Sequence, residues 1–68
     1  MKPNEPLVFG EIVRRSYSRT FIMVVQPKRP ERDGFLGVFV STESKNPVIA
    51  SYIGTLGLFW RSDCEKVT

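Results

Sequence analysis

The chain has 68 residues, a net charge of +3, 41% hydrophobic residues and 25% charged residues, a balance that fits one small globular domain and excludes collagen-like, low-complexity and wholly disordered chains. It has no histidine and one cysteine, which excludes an intramolecular disulfide, Cys/His zinc sites and histidine-based catalytic triads. No apolar run reaches the about 18 residues that span a bilayer, and Met1-Lys2-Pro3-Asn4-Glu5-Pro6 lacks the apolar segment of a secretion signal, so the reading is a soluble, cytoplasmic domain over residues 1–68 with no membrane partner.

Residues 1–6 read as an N-terminal arm. The apolar, β-branched run Leu7-Val8-Phe9-Gly10-Glu11-Ile12-Val13-Arg14 predicts a first strand, and Gly10 within it predicts a bulge or bend. A polar stretch, Ser16 to Arg19, separates it from a second strand over 20–26. There Phe21, Met23 and Val25 share one face and Ile22 and Val24 the other, so both faces are apolar. The intervening four or five residues suit an antiparallel hairpin.

Residues 27–34, with two prolines and a terminal Asp33-Gly34, predict a loop. A third strand over 35–42 is again apolar on both faces, and Gly37 gives it a place to coil. Residues 47–54 carry two competing signals. Val48-Ile49 and Tyr52-Ile53 favour a strand, whereas Asn46 as N-cap, Pro47 at the first helical position and Gly54 beyond the end spell a short helical turn over 47–53. The β-branched content tips the reading to a strand. The last strand covers 56–61, and residues 62–68 continue it or form a C-terminal tail.

In a chain too short for a two-sheet sandwich, these elements predict an all-β fold, a small five-stranded, strongly bent barrel whose closure removes exposed edges. The series of short strands opening with Phe9-Gly10-Glu11-Ile12-Val13 resembles small SH3-like barrels. That resemblance is one of fold class and carries over no functional residue.

Reactive groups are few. Glu11 is the one carboxylate within an apolar strand, where the usual arrangement points it outward to solvent. Cys64 stands between Asp63 and Glu65, whose charges oppose thiolate formation. No glycine-rich phosphate loop or EF-hand spacing is present. The expectation is a protein that is not an enzyme, with no catalytic residues, no metal and no cofactor.

Binding has more support. Six cations lie between residues 14 and 32 against the single carboxylate of Glu31. Within Arg14-Arg15-Ser16-Tyr17-Ser18-Arg19, three guanidinium groups and one aromatic could clamp phosphates and stack a base. Lys28, Arg29 and Arg32 form a second basic loop, which an antiparallel hairpin puts at the opposite end of the second strand. Phe59 and Trp60 are adjacent, so one of them faces outward, and an exposed Trp60 would suit a partner. The expected function is a non-enzymatic β-barrel binding module that contacts nucleic acid, RNA or DNA, through Arg14, Arg15, Tyr17, Arg19, Lys28, Arg29, Arg32 and Trp60. The alternative is a protein-interaction module, an inhibitor or adaptor that meets an acidic protein through a barrel edge and exposed aromatics. The same charges also serve a plain solvated loop. Two strands apolar on both faces further predict a homodimer, because a chain of this length closes only one core.

Overall fold

Alternating apolar residues make the strands, and glycine and polar clusters interrupt them. The computed structural model describes residues 6–27 and 33–67. Within these, β1 (Ile12–Arg15), β2 (Thr20–Gln26), β3 (Gly34–Thr42), β4 (Leu56–Trp60) and β5 (Cys64–Lys66) form one antiparallel sheet in the order β4-β3-β2-β1-β5. A four-residue helix, α1 (Pro47–Ala50), lies between β3 and β4, and turns of 3-10 helix cover Ser16–Ser18 and Arg61–Asp63. The mostly β architecture agrees with the sequence. The sheet is open, with β4 and β5 as its edges.

Three boundaries differ from the sequence reading. The first strand begins at Ile12 because Phe9 and Gly10 form a turn, with Gly10 at φ 86° and its N–H donating to Val24 O at 2.7 Å. Leu7, upstream of that turn, still enters the core. The strand expected over 47–54 is α1 followed by a turn over 51–54. Asn46 Oδ1 accepts from Val48 N–H at 2.9 Å, and Pro47 sits in the first turn with its φ already helical. Those local bonds are satisfied within the segment, whereas strand propensity needs a pairing partner, and β3 already pairs with β2 and β4. The fifth strand comes instead from the expected tail, where β5 returns to β1 with Cys64 opposite Arg15 and Lys66 opposite Val13.

The inner face of the sheet carries the core: Val13, Ile22, Val24, Phe35, Phe39, Phe59 and Cys64, joined by Leu7. Phe59 sits edge-on to Phe39 at 4.9 Å between ring centroids and tilted to Phe35 at 5.8 Å. Phe21 is half-buried and Trp60 exposed, both on the outer face, so of the adjacent pair Phe59 and Trp60 it is Phe59 that enters the core. Gly37 is required where β2 and β3 cross the core, since a Cβ there would run into Ile22 Cγ2 and stand 3.0 Å from Met23 O. Arg61 ties the far end together, its guanidinium donating to Pro27 O at 2.7 Å and its N–H to Asp33 O at 2.8 Å.

Candidate functional site

The turn between β1 and β2 is built from short polar side chains that bond the backbone locally. The 3-10 turn Ser16–Ser18 ends at Arg19, which adopts the left-handed conformation, φ 50° and ψ 41°. That conformation costs a residue with a Cβ about 1–2 kcal/mol. Neighbouring bonds hold it in place. The buried Thr20 hydroxyl donates to Ser18 O at 2.9 Å, Thr42 Oγ1 donates to Arg19 O at 3.2 Å, and Glu43 N–H donates to the same carbonyl at 2.8 Å. Ser44 N–H then donates to Thr42 Oγ1 at 3.0 Å. Thr20 lies opposite Thr42 in the β2–β3 ladder, so the segment after β3 is stapled beside the turn before β2.

Between these two segments lies a cleft of about 350 Å³, lined by Tyr17, Ser18 and Arg19 from one and by Glu43, Ser44 and Lys45 from the other, with Ile49 of α1. The Tyr17 side chain is 71% exposed. The one carboxylate of the lining, Glu43, is engaged by Arg14 at 3.6 Å. Among the described residues neither Arg19 nor Lys45 forms an ion pair, so the cleft presents two uncompensated cations beside an aromatic ring.

The arginines of the basic segment therefore have three different places. Arg14 is in β1 on the outer face and compensates Glu43. Arg15, two residues after Val13, takes the inner face, where its guanidinium carbon lies 5.0 Å from the Tyr17 ring centroid, 5.2 Å from Phe39 and 5.3 Å from Phe59. Its Nε donates to Ser18 Oγ at 2.9 Å. Arg15 thus braces the core end and backs Tyr17, and only Arg19 lines the cleft. Trp60 is placed elsewhere, opposite Gly34 at the other end of β3, about 26 Å along that strand from Thr42 beside the cleft. Lys28, Arg29 and Arg32 lie outside the described residues, although their flanks, Pro27 and Asp33, are at that far end.

Sequence reading missed Glu43, Ser44, Lys45 and Ile49. Their signal was available in the hairpin: pairing Thr20 with Thr42 makes residues 19 and 43 neighbours. Glu11 is occupied structurally, its carboxylate accepting from Val8 N–H at 3.2 Å and pairing with Lys66 Nζ at 3.4 Å. The Cys64 thiol is pushed up from 9.0 to about 11, chiefly by burial and further by Asp63, with Arg15 opposing. The direction expected from neighbouring acids is right, but its main cause is desolvation. Among the described residues no group of three or more His, Cys, Asp and Glu side chains could hold a metal ion, and no helix is long and apolar enough to cross a membrane. No family model, curated protein or solved structure matches the chain.

Proposed function

We propose that this chain is a non-enzymatic binding module that takes a single-stranded segment of nucleic acid into the Tyr17–Lys45 cleft. The observation that carries the reading is the charge pattern of the lining. Arg14 offsets Glu43, which leaves Arg19 and Lys45 as phosphate partners on either side of an exposed ring. Phosphate contact from two cations and stacking on one aromatic is the minimal chemistry for a single strand, whose bases are free to splay, and a paired base offers no face to Tyr17. The cleft is large enough to admit one nucleotide, within the usual range of about 300–1,000 Å³ for ligand sites. The backbone strain at Arg19 supports the same reading, since such outliers concentrate at binding sites.

We further propose that the sheet, open between β4 and β5, curls in the manner of a strongly bent, SH3-like barrel. The support for this is the return of β5 to β1 after a meander from β1 to β4, together with the register shifts between Phe21 and Ile22 and between Val24 and Gln26, which increase twist and bend.

Fluorescence anisotropy of labelled ten-nucleotide RNA and DNA strands, alone and as duplexes, tests the function at low salt. Single strands should bind more tightly than duplexes. The Arg19→Ala/Lys45→Ala pair should weaken binding and flatten the slope of log affinity against log salt by about 0.7 for each phosphate no longer neutralised. Tyr17→Ala should weaken it by about 1–3 kcal/mol with the slope unchanged. Wild-type protein that binds neither strand at low salt would remove this reading in favour of an acidic protein partner.

A further inference from the structure

The outer face of the sheet is apolar across four strands. Ile12 lies opposite Met23, Met23 opposite Val38, and Val38 opposite Leu56, so one unbroken apolar row crosses β1, β2, β3 and β4. Leu36 opposite Leu58 starts a second row beside it, and Trp60 continues the same face along β4. Leu56 is 61% exposed and Leu58 and Trp60 are 42% exposed. The segment after α1 turns to the inner side, where Tyr52 stacks on Phe39.

We propose that a second copy of this chain covers this face, two sheets packing outer face to outer face. Three observations favour a copy over other occupants. Among the described residues the cation of this face, Arg14, is engaged by Glu43 at 3.6 Å, which leaves the row itself apolar. Its margin is close to neutral, with Arg14 opposite Glu65 as well as beside Glu43, so two copies can meet about a two-fold axis without like-charge repulsion. The area is also sufficient. With about 150–250 Å² for each large side chain, the exposures above and the half-buried neighbours on β2 and β3 leave about 600 Å² of the face in water. Two such faces hide about 1,200 Å² in total, the lower limit for stable interfaces, and one alone matches the largest apolar patch a monomer ordinarily exposes, about 300–600 Å². This inference is independent of the nucleic-acid reading, because the cleft lies at the turn end of the molecule and not on the outer face.

Sedimentation equilibrium from about 1 to 500 μM tests it. The mass should rise from 7.8 kDa toward twice that value, with a midpoint in the micromolar range. The emission of Trp60, the sole tryptophan, should shift to the blue over the same range as its ring leaves water. Met23→Lys should hold the chain monomeric, and Leu56→Lys does the same at a more exposed position if the first variant folds poorly. Val48→Lys, on α1 and away from the face, should leave dimerisation unchanged. A single 7.8 kDa species throughout would overturn the proposal. So would a dimer that persists in folded Met23→Lys, since Met23 is two strands in from the β4 edge and edge-to-edge pairing through β4 would not feel it.

Discussion

Replacing Arg15 by methionine removes a cation from three rings while keeping an unbranched stem of similar reach. The guanidinium carbon stands 5.0–5.3 Å from Tyr17, Phe39 and Phe59, and each such contact contributes about 0.5–1 kcal/mol when partly exposed. One cation serves all three rings, so the contributions do not add fully, and about 1.5–2 kcal/mol is a fair total. The bond from Nε to Ser18 Oγ at 2.9 Å is removed as well, at about 1 kcal/mol. Sulfur against the same rings returns about 0.5–1 kcal/mol. The net loss is about 2 kcal/mol, which for a domain of this size lowers Tm by about 8–16 °C. Thermal melts followed by circular dichroism measure it directly. A Tm within about 2 °C of wild type, far below that shift, would refute the assignment of Arg15 to the core end and return it to the surface as a third solvated arginine.

Other substitutions probe other parts of the structure. Gly37→Ala forces its Cβ against Ile22 Cγ2 and Met23 O, so urea unfolding should show a loss of about 1–3 kcal/mol. Arg19→Gly relieves the left-handed strain of about 1–2 kcal/mol and incurs about 0.5–1 kcal/mol of chain entropy, so Tm should hold or rise by a few degrees while oligonucleotide binding weakens, a pairing that a purely structural role would not produce. For Cys64, the folded chain holds the thiol proton to about pH 11 against 9.0 when unfolded. Its contribution is therefore complete below pH 9 and lost as pH rises through 11, by a few kcal/mol at most, at roughly 1.4 kcal/mol per pH unit. The stability difference between wild type and Cys64→Ala should shrink over that window, and a difference that stays constant to pH 11 would contradict the burial of the thiol.

Much of the sheet is legible in the sequence because its strands obey a two-residue period. Val13, Ile22, Val24, Phe35 and Phe39 share the core face, but because β2 and β3 are apolar on both faces, the period alone does not tell which face is the inner one. The pattern fails where local bonding outweighs propensity. At Asn46-Pro47 a cap completes a helical turn within four residues, and β-branched neighbours cannot reverse that without a strand to pair with. It fails again at Cys64–Lys66, too short to show any period, whose strand exists only because β1 has an open edge. The candidate site was half legible. Charge and aromatic content marked the turn from Ser16 to Arg19, but the period that puts Val13 inside also puts Arg15 inside, and composition alone treats Arg14, Arg15 and Arg19 as equals. The second wall, Glu43 to Lys45, is set by hairpin register, a property of two strands together and of neither alone.

The central claim is that the cleft between the Arg19 turn and Lys45 is where a single strand binds, and chemical-shift mapping tests it most directly. Adding an unlabelled ten-nucleotide strand to ¹⁵N-labelled protein at low salt should move the amides of residues 16–19, 43–46, 48 and 49 in fast exchange, with the β4 amides about Trp60 unmoved. Shifts confined to the β4 end or spread evenly over the outer face, with the amides at Tyr17, Arg19 and Lys45 unchanged, would contradict the claim.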